Sequence, residues 1–117
     1  MQIPPEITYR NVEKTEDIEN LIAEKIAKLE QICGYIVSCR IAIERRHQHQ
    51  QTGNPYRVRI GVTVPPGHEL LVKRISTEAE REEPLPTVLR RAFDAMRRQL
   101  RELVERQRGE VKEHPEQ

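Results

Sequence analysis

Arginine is the side chain best placed to do chemistry here, and it gathers between Leu85 and Arg108. At about 100° per residue on an α-helix, Arg90, Arg97, Arg101 and Arg108 fall within roughly 20° of one line, on the order of 27 Å long. Arg91 and Arg98 project roughly 80–100° further round the same helix. A guanidinium forks onto phosphate or carboxylate oxygens, stacks on flat groups and sheds its hydration more easily than an ammonium. The line therefore reads as a surface for a polyanion. It also suits a plain solvated face, because arginine is a good helix former and a charge run is usually only that. Asp94, Glu102 and Glu105 stand at helical spacing to pair with Arg98 and Arg101, which favours the plain reading.

The other candidate groups are weaker. His47 and His49 form an H-x-H in which two imidazoles could share a metal, but no third ligand is spaced to complete the site. His68 follows a Pro-Pro-Gly turn and reads as a strand-entry residue. No phosphate-cradling glycine loop, nucleophile elbow or zinc-type cysteine pattern occurs. The chain is therefore expected to be no enzyme and to need neither metal nor cofactor. Cys33 and Cys39 are too few for a disulfide framework and are expected as reduced thiols, with Cys39 turned inward.

The arginines need a scaffold, and 117 residues suffice for one domain around one core. The formal net charge is only +1, so any polyanion footprint depends on segregated charge. Acids outnumber bases between Glu16 and Cys33, whereas Arg40 to Arg59 and Thr87 to Arg108 are basic. With no Trp and few other aromatics, a base-stacking platform for single strands is not expected. No apolar run reaches membrane-spanning length, and MQIPPEI lacks the features of a signal peptide. The expectation is a cytoplasmic protein without a membrane partner.

Apolar periodicity supplies the elements. Gln2 to Arg10 alternates as a strand, with Pro4 and Pro5 marking a sheet edge. Thr15 suits an N-cap, and Ile18, Leu21, Ile22, Ile26, Leu29 and Cys33 trace a helical stripe that Gly34 would stop. Lys25 and Lys28 ride on or beside the outer face of that helix. Alternation resumes from Tyr35 to Glu44, and again from Tyr56 to Val64 after the polar stretch Arg45 to Pro55. Pro65, Pro66 and Gly67 turn the chain into a short strand, His68 to Lys73. Ile75 to Pro84 reads as an acidic mobile link. Leu89, Phe93, Met96, Leu100 and Leu103 give the last helix its apolar stripe.

The predicted architecture is α+β, in the order βαβββα. A helical crossover makes the first two strands parallel, and short links make strands two to four antiparallel. Both helices should cover one face of the mixed four-stranded sheet. The domain is expected over residues 1–108, with 109–117 as a flexible tail.

Several stretches in this order resemble one family. They are MQI-x₃-I-x₂-RN, AEKIAKLE, the basic strand end ERRHQH, V-P-x-GHEL and FDAMRRQL. Together they are similar to the short form of the ribosome hibernation-promoting factor and ribosome-associated inhibitor A family, from Met1 to about Arg108. The resemblance implies a domain that lodges between head and body of the small ribosomal subunit. There it would occupy the messenger and tRNA channel, contact rRNA through basic residues of both helices and nearby loops, and block translation sterically. Lys25 and Lys28 match basic positions of the family's first-helix pattern K/R-L-x-K-L. Arg98, Gln99 and Leu100 match its second-helix pattern K-L-E-R-Q-L-x-K. Ala95 and Glu102 stand where the family usually has lysines, and Arg97 where it often has an acid. EEPLPTVL replaces the usual helix entry D-M-Y-A-A-I. These departures move the basic surface toward the flank of Arg90, Arg97, Arg101 and Arg108.

The resulting candidate rRNA-binding set is Lys25, Lys28, Arg45, Arg46, Arg74, Arg90, Arg91, Arg97, Arg98 and Arg101. The expected partner is the small subunit with its rRNA, and a weak homodimer stays open. The tail RGEVKEHPEQ resembles a branch of the family in which a cold-shock-like domain follows. The dimerisation domain of long members is not expected. Two other functions fit the same residues: a general binder of double-stranded RNA, and a module whose arginines meet an acidic protein.

Overall fold

The computed structural model describes residues 1–45, 55–75 and 83–113, with side chains as far as 109. Its elements are β1 (Glu6–Arg10), α1 (Glu16–Ile32), β2 (Ser38–Arg45), β3 (Tyr56–Val64), β4 (His68–Ile75) and α2 (Leu85–Glu113). The order is the predicted βαβββα, in an α+β fold. Arg46, His47 and His49, most of the acidic link before α2, and residues 114–117 lie outside the described residues.

The sheet runs β1-β2-β3-β4. β1 pairs parallel with β2, bringing Ile7 opposite Ile41 and Tyr9 opposite Ile43. β2–β3 and β3–β4 are antiparallel, aligning Ile41 with Ile60 and Ile60 with Val72. A period of two therefore turns Cys39, Ile41, Ile43, Val58, Ile60, Val62 and Val72 to one side, where all are buried. α1 adds Ile18, Ile22, Ile26 and Leu29 to that side, and α2 adds Phe93, Met96, Leu100 and Leu103, in a single core. Both helices thus cover one face and leave the other to solvent.

Local signals explain the element ends. Thr15 Oγ1 accepts a hydrogen bond from the Ile18 amide at 3.3 Å, and Glu16, Asp17 and Glu19 meet the positive end of the helix dipole. Asn11, at φ 55°, turns the chain out of β1, a conformation asparagine tolerates better than most residues. Gly67 at φ 97° closes the β3–β4 turn after a cis Pro65–Pro66 bond.

Several boundaries differ from the periodicity. β1 starts at Glu6 instead of Gln2, because Pro4 and Pro5 interrupt the ladder; Gln2 and Ile3 still donate to the carbonyls of Ile36 and Val37. Gly34 does not form a left-handed cap. Instead α1 ends on Cys33 in an extended conformation, its amide donating to Leu29 at 3.0 Å while its side chain enters the core. β2 begins at Ser38 rather than Tyr35, and β4 continues to Ile75. α2 runs through Gly109 to Glu113, since one helical glycine costs only about 1 kcal/mol.

Cys33 and Cys39 are free and buried. Burial pushes the Cys39 thiol up to about 11 from its ordinary value of 9.0. Between these values the unfolded chain gives up this proton before the native one does. The contribution of Cys39 to stability is thus complete below pH 9 and is lost as pH rises toward 11. We expect Cys39 to resist iodoacetamide at pH 8 in the native protein and to react fully in denaturant, read by mass spectrometry. Equal labelling in both states would contradict its place in the core.

Candidate nucleic-acid interface

α2 is the element that displays the arginines. Its apolar residues sink into the core, and the opposite side carries Arg90, Arg91, Arg98 and Arg101 exposed, with Arg97 half-buried on the flank. The carboxylates expected to quench them do not. Among the described residues, Asp94, Glu102 and Glu105 make no ion pair with Arg98 or Arg101. Arg91 is the exception, pairing with Glu83 just ahead of the helix.

The sheet contributes a further guanidinium. Arg74 shares the parity of Val72 on β4, so it emerges on the helix-covered side at the sheet's outer strand. Lys73, Arg74 and Ile75 of β4 border one hollow with Arg91, Asp94 and Arg98 of α2. Three predicted site residues, Arg74, Arg91 and Arg98, are thereby brought together. Lys73 and Asp94 complete the hollow and were not in the sequence-derived set. No sequence spacing indicates that α2 lies beside the end of β4, so their membership was hidden.

Other predicted residues stand apart. Lys25 is half-buried and Lys28 exposed on α1. Arg45 closes β2 with its guanidinium 4.9 Å from the centre of the Tyr56 ring, a cation–π contact that holds it in place. It borders a second hollow with Asn11, Thr15, Tyr56 and Leu85, near the start of both helices. Arg46 lies outside the described residues. Among the described residues, no group of histidine, cysteine and carboxylate side chains could hold a metal.

Ala95 changes the meaning of one departure from the family pattern. It is 7% exposed and belongs to the core, so its side chain is not part of the basic surface. Glu102, in contrast, is exposed and lowers the positive charge of the surface itself. The far end of α2 is fixed by Gln107, which accepts from the Tyr35 hydroxyl at 2.7 Å and donates to the Pro65 carbonyl at 3.2 Å. These bonds set the helix, and hence its arginines, in register with the sheet.

Residues 6–108 match the family model described as sigma 54 modulation protein / S30EA ribosomal protein. The fold is similar to the N-terminal domain of Thermus thermophilus Protein Y, at 21% identity and a TM-score of 0.66, covering 88% of this chain and 99% of that one. It is also similar to a ribosomal subunit interface protein from Coxiella burnetii, at 12% identity and a TM-score of 0.67, covering 86% of this chain and 97% of that one. No curated protein matches the chain in sequence.

Proposed function

Because this chain belongs to the sigma 54 modulation protein / S30EA ribosomal protein family, we infer that it is a ribosome-associated hibernation factor that docks on small-subunit rRNA. The observation that carries the reading is the state of α2. Arg90, Arg97, Arg98 and Arg101 reach solvent along one helix without an ion pair among the described residues, and Arg74 extends the row onto β4. The T. thermophilus and C. burnetii proteins, named as Protein Y and as a subunit interface protein, support the ribosome as partner.

The mechanism is steric. A helix held by its core and by the Gln107 bonds presents guanidiniums to phosphates at fixed spacing. Binding therefore draws on counterion release and falls with salt. Recognition follows backbone and shape instead of sequence, as for structured RNA in general. A domain seated in the messenger and tRNA channel excludes both by occupying their volume, and the ribosome idles without any bond being made or broken.

Co-sedimentation with purified small subunits over a salt series tests this. The protein should pellet at low salt and leave the pellet as salt rises, and short RNA duplexes should compete poorly. Effective competition by duplexes would make it a general double-stranded-RNA binder. Binding that survives complete nuclease digestion of the subunits would point to a protein partner.

A further inference from the structure

The solvent face of the sheet carries a second cationic site, built on Arg40 and Arg59, that shares only Lys73 with the helix-side hollow. The register builds this face in rows across the strands. One row is Thr8, Ala42, Arg59 and Lys73, and the next is Glu6, Arg40, Gly61 and Leu71. Arg40 and Arg59 thus sit on one diagonal, and the small residues Ala42 and Gly61 on the other. The result is a shallow hollow floored by Ala42 and Gly61 and walled by Glu6, Thr8, Arg40, Arg59, Leu71 and Lys73. The Arg40 guanidinium leans over the floor, 3.6 Å from where a Gly61 side chain would begin.

Its three cations, Arg40, Arg59 and Lys73, face a single lining carboxylate, Glu6, which makes no ion pair with them among the described residues. Arg59 and Lys73 are directly opposite across β3 and β4, an arrangement of like charges that destabilises a sheet. In the neighbouring row Arg57 has Glu44 at 3.9 Å, but Arg40, Arg59 and Lys73 have no ion pair among the described residues. Beside them Leu71 and Ile75 stand 54% and 51% exposed on the same strand face. A phosphate backbone offers nothing to such aliphatic side chains, and no aromatic residue borders the hollow to stack a base. A segment supplying both carboxylates and aliphatic side chains satisfies both groups at once.

We propose that the open face of the sheet docks an acidic protein segment bearing aliphatic residues, its carboxylates held by Arg40, Arg59 and Lys73 and its apolar side chains laid against Leu71 and Ile75. Arg40, Arg59 and Leu71 lie on the side of the sheet away from the helices, while Lys73 and Ile75 stand at the β4 edge that also borders the α2 hollow. The site makes the protein two-faced, with one surface for RNA and the other for a protein.

The test uses the full chain and a labelled peptide of alternating glutamate and leucine, with RNA of matched length as comparator. Amide shifts on peptide addition should fall on residues of β2, β3 and β4 that border the hollow. Arg40→Gln/Arg59→Gln should weaken the peptide by about tenfold or more, a difference of about 1.4 kcal/mol, while leaving co-sedimentation with small subunits unchanged. Gly61→Ala should weaken it without changing net charge or lowering the melting temperature, because the added Cβ makes ordinary contacts, 3.6 Å from the flexible end of Arg40 and 4.0 Å from the Leu70 carbonyl. Absence of peptide binding, shifts confined to α2, or RNA that displaces the peptide from these strands would each overturn the proposal. Loss of small-subunit binding in the Arg40/Arg59 variant would overturn it too, by making this face part of the RNA surface.

Discussion

Arg97→Glu/Arg98→Glu/Arg101→Glu should leave the fold standing and release the protein from small subunits. None of the three side chains belongs to the core, and none has an ion pair to lose among the described residues. Surface substitutions of this kind usually change stability by about 0.5 kcal/mol or less each. Their effect on a polyanion is far larger. Each lost phosphate contact removes about one unit from the slope of log affinity against log salt, so the slope should fall by about 2 to 3. Co-sedimentation at several ionic strengths reads the slope, and circular dichroism checks that the variant is folded. A folded variant that pellets like the wild type would remove α2 from the interface and with it the docking surface proposed here.

Phe93→Ala is expected to have the largest effect on the molecule itself. Phe93 is 1% exposed and heads the fully buried side chains by volume. Its truncation removes a ring from the core that α2 shares with the sheet and leaves a cavity, at a cost of about 3–5 kcal/mol. A domain of ordinary stability holds about 5–15 kcal/mol in reserve, so much of it would be spent. Urea denaturation should show the midpoint falling steeply with little change in slope. A shift worth less than about 1 kcal/mol would mean that α2 is seated less tightly than its burial indicates. The two variants separate the roles of one helix, since its apolar side holds the fold while its arginines make the contact.

Much of this division was legible in the residue pattern. Alternation in Tyr56–Val64 and Cys39–Ile43 placed the buried face of β3 and β2 correctly, because a period of two leaves no freedom about which side a residue takes. The helical stripe from Leu89 to Leu103 is buried as its spacing required. The end of α1 was misread at Gly34. A glycine permits a left-handed end but does not impose one, and here the neighbouring Cys33 decided by being drawn into the core.

The candidate site was less legible, because it depends on distances across the fold. The equal helical spacing of Asp94 and Arg98 suggested a pair, yet spacing states only that two side chains can meet. Whether they do depends on what else surrounds them, and here Arg74 and Arg91 border the same hollow from different elements. Likewise Arg59 and Lys73 are an ordinary alternation within their own strands. They become a like-charged pair only once the β3–β4 register is known.

The parallel pairing of β1 with β2 bears on how this chain leaves the machine that makes it. Glu6 is matched with Arg40, beyond the whole of α1. A nascent chain that has emerged only as far as α1 therefore holds its first strand without a neighbour. The β2–β3–β4 meander closes over short separations, whereas β1 must wait for a long loop to be drawn shut before it gains its ladder. β1 is synthesised before the strand it pairs with, and the domain cannot be completed in the order in which it is translated.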